Sequence, residues 1–460
     1  MPAGMRKCLT KCDICCTTIY RYTIRMEGHI MYRIIMNDLM DWYENAQDKV
    51  LFLKGAKGVG KTWTMVDFGQ GFFKQLIYID LEKDTESHIL FKKGSKITAA
   101  KFLGALAAYT DQSIDEGNTI FVFDEPQHAK NALNAIMSLK EQRPELPICV
   151  ISSTVGTIGN EVQYTDMFYN LTLYPMTFEE FLTANKAQNL CKFIENQKLE
   201  PVMPEIKDCI IEYLKAYYVV GGMPIVVLDY VKNKDLNRVD AILKALLDRT
   251  NEYIEKEVPK NLALKVGKIW KSIPSQMQKD NRKFMYQYVD EKARAREYEK
   301  SVDWLVDTGL VRKINRIKNG VAPLAEQIDD KSFELYHLDH GLLRIMCGLP
   351  YSQVKTSEDG LDDINGALLE QLVLSELTMN NTVQKLYFWI SGATARIDFV
   401  FEDDGEVVPV DVVPRIRRKA QSMKVFNDRY KNHMAIRISL DDLGFSKGVL
   451  NIPLYGLWNF

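Results

Sequence analysis

No run of eighteen apolar residues occurs in this 460-residue chain, so no membrane-spanning helix is expected. The N-terminus lacks the apolar core of a signal peptide, which makes the cytoplasm the default location. An excess of charge of one sign is missing too. Lysine and arginine number 59, aspartate and glutamate 61, for a formal net charge of −2. No global basic field argues for nucleic acid or a membrane surface, and any nucleic-acid contact has to be a local patch. A disorder signature is also lacking, since 46% hydrophobic and 26% charged residues is the balance of ordinary globular protein. The length implies about three or four units.

Cysteine is sparse outside one place. Cys149, Cys191, Cys209 and Cys347 are scattered in apolar or helical surroundings and read as reduced thiols. Cys8, Cys12, Cys15 and Cys16 crowd together. The first three have CxxxCxxC spacing, which can ligate an iron–sulfur cluster, yet the chain offers no partner barrel for radical chemistry. Zinc on all four is hindered because adjacent Cys15 and Cys16 cannot easily both ligate. Residues 1–30 therefore read as an N-terminal extension.

What is present is organised around Gly55-Ala56-Lys57-Gly58-Val59-Gly60-Lys61-Thr62. The apolar run Val50–Leu53 precedes it, and a helix-compatible stretch from Trp63 to Phe68 follows. Strand, glycine loop and helix are the context a phosphate-binding loop requires, and GxxxxGK[ST] is met in full. Glycine lets the backbone curl its N–H groups toward phosphate oxygens, and the helix adds its positive end. Gly55, Lys57, Gly58, Val59, Gly60, Lys61, Thr62 and Trp63 are the expected nucleotide contacts. Lys61 is expected to reach the β- and γ-phosphates, and the Thr62 hydroxyl to bind Mg²⁺.

About sixty residues downstream, Thr119–Phe123 reads as a buried strand ending in Asp124-Glu125. Asp124 would hold Mg²⁺ through water, and Glu125 would orient and polarise the attacking water. A further buried strand, Ile148 to Ile151, ends in Ser152-Ser153-Thr154. Ser153 is the choice there for a polar sensor of the γ-phosphate, against a plain Ser/Thr turn. Strands at Gln75–Asp80 and Asn170–Met176 complete five, and the alternation with helices implies an α/β three-layer, mostly parallel sheet. Thr177 and Glu180 make a capping box at a helix start. Residues 31–184 are the expected P-loop domain.

Residues 185–257 turn helical and read as a lid, interrupted by Gly221-Gly222-Met223-Pro224. Residues 258–350 run from helices into a hairpin and look like a winged helix. Lys292, Arg294, Arg296, Arg312, Lys313, Arg316 and Lys318 cluster there, as a solvated face or as a contact to duplex DNA. Residues 351–363 read as a linker. From 364 to 460 the order αβββαβ resembles restriction-endonuclease-like nucleases.

These stretches together resemble a family of prokaryotic P-loop ATPases of the AAA+/STAND type, joined to a winged helix and a C-terminal nuclease-like domain. The markers are GAKGVGKT at 55–62, FDEPQ at 123–127, LYPMTFEEF at 173–181 and GGMP at 221–224. KSIPSQMQKDNRKF at 271–284, LYHLDHGLL at 335–343 and DFVFEDDGEVVPVDVV at 398–413 continue the series. The resemblance implies ATP hydrolysis with Mg²⁺ in a molecular switch, and a nucleotide contact from Pro224. The basic cluster and the nuclease-like end leave an alternative, an ATP-gated DNA-binding protein of a defence or mobile-element system, with or without nuclease activity. Such nucleases place Asp on one strand and (Asp/Glu)-x-Lys on the next. Asp398 fits, Glu370 supplies a third carboxylate, but Asp411-Val412-Val413 has valine for the lysine. Valine cannot donate or position water, and Arg396 stands where an acid is usual, so the nuclease-like site is expected to be degenerate. Lys424 is a candidate substitute. Arg249, Arg294 and Arg296 are available as arginine fingers, and a protein partner or homo-oligomer is left open.

Overall fold

The computed structural model describes residues 31–154, 166–279, 281–355, 366–379, 383, 385–392, 395–413, 421–431 and 434–459. The Cys8–Cys16 cluster and most of the expected linker lie outside them. The described residues form two compact units. One holds the chain up to Tyr174 together with Asp307–Gly309, and the other holds Pro175–Val306 and Leu310–Phe460.

The first unit begins with α1 (Met36–Asn45), β1 (Val50–Lys54) and α2 (Lys61–Phe72). It continues with β2 (Gln75–Asp80), α3 (Ala99–Thr110), β3 (Thr119–Asp124), α4 (Ala132–Gln142), β4 (Ile148–Ser152) and β5 (Phe168–Thr172). All five strands are parallel, in the order β2-β3-β4-β1-β5. Strands β3 and β4 are buried along their whole length, which is why they read as unbroken apolar runs rather than alternations. Phe91, Phe102 and Phe123 pack ring to ring within the core beside them. On α1, fully buried Trp42 packs against Phe68 of α2. The order puts the C-terminal ends of β1, β4 and β3 side by side along one rim of the sheet. In open α/β sheets that rim is where ligands bind.

The second unit opens with α5 (Phe178–Ala184), α6 (Gln188–Glu195), α7 (Pro204–Val220), α8 (Pro224–Asn233), α9 (Leu236–Glu257), α10 (Ala263–Met277) and α11 (Ala295–Asp307, whose last residue belongs to the first unit). Within this unit Phe178 and Phe181 of α5 pack on Tyr217 of α7. The capping box forms as expected: Thr177 N donates to Glu180 Oε2 at 3.0 Å, and Glu180 N to Thr177 Oγ1 at 3.3 Å.

Three of the sequence markers meet inside this unit. Met176 N donates to Gly222 O at 2.6 Å, and Gly222 N to Asp339 Oδ2 at 2.7 Å. A Cβ on Gly222 would stand 2.3 Å from Met176 O, so only glycine permits this approach. Asp339 also caps α12 (His340–Met346) through Leu342 N at 2.9 Å.

Beyond α12 come α13 (Tyr351–Lys355), α14 (Gly366–Thr378), β8 (Tyr387–Ile390), β9 (Arg396–Asp403), β10 (Glu406–Val412), α15 (Gln421–Tyr430), β11 (Ala435–Ser439), β12 (Gly444–Ser446) and β13 (Val449–Pro453). The hairpin assigned above to a winged helix, β6 (Val311–Ile317) with β7 (Ile328–His337), is part of the same sheet. Its order is β12-β13-β11-β10-β9-β8-β6-β7, and β6 pairs in parallel with β8 from Asn315↔Tyr387 to Ile317↔Trp389. The free edge of β6 is satisfied by the C-terminal strands, and fully buried Ile317 and Trp389 share their core.

Helix α14 buries a carboxylate. Glu376 Oε1 accepts from Phe178 N at 2.9 Å and from Tyr217 Oη at 3.0 Å. Burial pushes its carboxyl up to about 8, against those two donors, which favour the charged form. Between about pH 4.5 and 8 the folded chain therefore holds a proton that the unfolded chain has released. Stability then falls as pH rises through that window, by up to roughly 1.4 kcal/mol per pH unit. In thermal melts across the window, Glu376→Gln is expected to flatten this slope, and an unchanged slope would contradict the assignment.

Candidate functional site

The loop between β1 and α2 is held in a shape that only glycine sustains. Gly55, Gly58 and Gly60 have φ of 154°, 91° and 98°. At Gly55 a Cβ would stand 2.3 Å from Leu173 O, so the loop starts pressed against the end of β5. Lys61 is the first residue of α2, buried, and its Nζ donates to Gly55 O at 2.7 Å and Ala56 O at 3.1 Å. Burial pushes its pKa down, while the Glu125 and Asp124 carboxylates pull it back up. Val59 is fully buried, whereas Trp63 is 40% exposed at the start of α2. Lys57 pairs with Glu82 at 3.2 Å.

Thr62 Oγ1 donates to Asp124 Oδ2 at 2.7 Å. This joins the start of α2 to the end of β3, two segments 62 residues apart. Burial raises the pKa of Asp124, against the hydroxyls of Thr62 and Tyr78 that favour its charged form. Glu125 follows at φ 52°, an uncommon backbone for a non-glycine residue. Its carboxylate is buried and accepts from Ser153 N at 3.0 and 3.1 Å, with Gln127 Nε2 as a further donor. Of the three hydroxyl residues ending β4, Ser153 is thus the one brought to Glu125, through its amide. Ser152 Oγ turns to Thr154 O at 3.0 Å instead.

Two contributors went unnoticed in the sequence. Arg33, 1% exposed, donates to Val59 O at 2.8 Å and Tyr174 O at 2.6 Å, and so ties the loop to the chain leaving β5. Tyr78 of β2 donates to Asp124 Oδ2 at 2.8 Å. Arg33 precedes α1 and Tyr78 lies within an ordinary strand, so neither carried a local signal. Pro224 belongs to the second unit, where it is buried at the first turn of α8.

Residues 47–182 match the AAA domain family. The chain carries an AAA-type P-loop domain. Residues 365–456 match a domain of unknown function, DUF4143, and residues 211–353 match another, DUF8612. No curated protein matches the chain. Among solved structures, the chain is similar to the Walker-type ATPase PABY2304 of Pyrococcus abyssi. Identity is 14%, over 70% of this chain and 97% of that one, with a TM-score of 0.44. C. elegans PCH-2 is 14% identical, over 50% of this chain and 72% of that one, at 0.31. The Thermotoga maritima RuvB Holliday junction branch migration motor is 10% identical, over 61% and 89%, at 0.30.

An AAA-type P-loop fold implies a nucleotide and, typically, Mg²⁺. The donors fit that ion. Thr62 and Asp124 bring two hard oxygens together at the loop's end. Among the described residues no group of three or more His, Cys, Asp or Glu forms a metal cage. Mg²⁺ suits such a site, because it takes one or two protein oxygens and relies on phosphates and water for the rest.

The C-terminal carboxylates are arranged differently. Arg396 of β9 pairs with Glu334 of β7, with Asp398 at 3.2 Å and with Glu370 of α14 at 3.4 Å. Arg282 also pairs with Glu370, and Arg437 lies 3.4 Å from Asp411. Asp398 Oδ2 accepts from Val412 N at 2.9 Å. Asp411 is pushed up to about 6, by burial first and then by Asp398. Guanidinium groups stand among these carboxylates, so they do not fit a divalent cation. Arg396→Ala would strand buried acids without a counter-charge. It is expected to cost about 3–5 kcal/mol, read as a lower urea midpoint. A midpoint equal to the parent's would mean that the cluster is not held by Arg396.

Proposed function

We propose that this protein is an ATP-binding and ATP-hydrolysing molecular switch, with Mg²⁺ as cofactor. The hydrogen bond from Thr62 to Asp124 carries the reading. It sets a hydroxyl and a carboxylate at the end of a glycine loop, with Glu125 next along the chain. ATP would lie along the loop from Gly55 to Gly60 and the first turn of α2, where amide N–H groups and the helix end favour phosphate. The buried Lys61 ammonium supplies positive charge for the β- and γ-phosphates. Thr62 and, through water, Asp124 would hold Mg²⁺, which when bound neutralises charge across the β- and γ-phosphate oxygens. Glu125 accepts a proton from the attacking water as general base. Ser153 N and Gln127 hold its carboxylate in place, and its oxygens keep lone pairs for that water.

The chain would then read nucleotide state rather than cut nucleic acid, because arginines hold the nuclease-like carboxylates Glu370, Asp398 and Asp411. The duplex-DNA reading gains no support from the basic cluster. Arg312 turns to Thr378 Oγ1 at 2.5 Å and Arg316 to Ile390 O at 3.1 Å. Exposed Glu291, Glu297 and Glu299 offset Lys292, Arg294 and Arg296.

Lys61→Ala is expected to abolish nucleotide binding. Glu125→Gln is expected to keep binding and lose roughly 10²–10⁴-fold in turnover. Parent-like hydrolysis by both variants, measured as phosphate release, would overturn the site.

A further inference from the structure

Strand β2 runs along the edge of the five-stranded sheet, beside β3. Their register pairs Asp80 with Asp124 and Tyr78 with Val122. Side chains two apart share a face, so Tyr78, Asp80 and Asp124 project from one side of the sheet. Two carboxylates on paired strands would repel if both were left bare. The structure separates their surroundings. Asp80 is turned onto its own loop, where Lys83 Nζ lies at 2.7 Å and the amides of Glu82 and Lys83 at 3.1 and 3.0 Å. Asp124 is turned the other way, onto the Thr62 hydroxyl.

The Tyr78 hydroxyl stands between them. It is 2.8 Å from Asp124 Oδ2 and 3.4 Å from Asp80 Oδ2, so its single proton goes to Asp124. Thr62 and Tyr78 therefore donate to the same oxygen, from the loop-helix junction and from the neighbouring strand. Neither donates to Oδ1. A carboxylate held by two hydroxyls on one oxygen has a fixed rotation, with its other oxygen left to accept from a metal-bound water. The residues that orient a metal's ligands in this way set metal affinity without touching the metal.

We propose that Tyr78 is a positioning residue of the divalent-cation site, which sets how tightly the protein takes up Mg²⁺ and leaves nucleotide contacts unaltered. The proposal rests on the nucleotide-site reading above. It adds a third element, the end of β2, to the loop and to the strand ending in Asp124.

Tyr78→Phe removes one oxygen and keeps the ring. The full chain would be titrated with a fluorescent ATP analogue in EDTA, and then with Mg²⁺ at fixed analogue, for the parent and the variant. Tyr109→Phe serves as control, since Tyr109 makes a similar bond, at 2.6 and 2.8 Å, to Asp84 rather than to Asp124. Tyr78→Phe is expected to raise the half-saturating Mg²⁺ concentration by roughly 10–100-fold. Its affinity in EDTA, and the Mg²⁺ midpoint of Tyr109→Phe, should match the parent. An unchanged Mg²⁺ midpoint in Tyr78→Phe would overturn the role, as would an equal loss in EDTA or an equal shift in Tyr109→Phe. A parent that binds no analogue in either condition would overturn the nucleotide site itself, and the role of Tyr78 with it.

Discussion

The hydrogen bond from Thr62 to Asp124 is the constraint on which the site depends. It closes the gap between the first turn of α2 and the end of β3, although β4 separates β3 from β1 in the sheet. Everything around it serves that closure. Three glycines with positive φ let the loop turn back on itself, and Lys61 fastens the loop from inside through two carbonyls. Arg33 holds the outside of the same loop through Val59. The oxygens and the cation that phosphate chemistry needs are thus assembled by backbone geometry rather than by a dense cluster of acids.

Much of the first unit was legible in the sequence, because its elements announce themselves locally. Fully buried parallel strands appear as apolar runs, GxxxxGKT imposes its own turn, and Asp124-Glu125 ends its strand with two acids. Long-range pairing is what local patterns do not encode. The alternation in β6 reveals a strand but not that its second edge pairs with β8, so the hairpin read as a winged helix. Strands β12 and β13, which lie at the far edge of that sheet, were also missed. Arg33 and Tyr78 were invisible for the same reason, since each gains its role from a partner 26 and 46 residues away. Ser153 was chosen for its hydroxyl, yet its amide makes the contact with Glu125.

The two sets of carboxylates in this chain illustrate how surroundings decide chemistry. Asp124 receives neutral hydroxyl donors, which orient it and leave it able to meet a cation. Glu370, Asp398 and Asp411 each stand beside a guanidinium group, which occupies the place a cation would take. A buried acid neutralised by arginine has little left to offer a metal, and losing the arginine would be costly. In the C-terminal sheet, arginines turn the convergence of these acids into a set of ion pairs. The acid at 398 and the valine at 413 were both readable, but Glu334 and Arg282 came into view only through folding.

Uptake of a Mg²⁺-nucleotide by the loop from Gly55 to Thr62, with Asp124, is the core of the proposed function. Calorimetric titration of the full chain with a non-hydrolysable ATP analogue, in Mg²⁺ and in EDTA, tests it most directly. One nucleotide per chain is expected, bound more tightly when Mg²⁺ is present. No heat of binding in Mg²⁺, with an unchanged melting midpoint at saturating analogue, would contradict it.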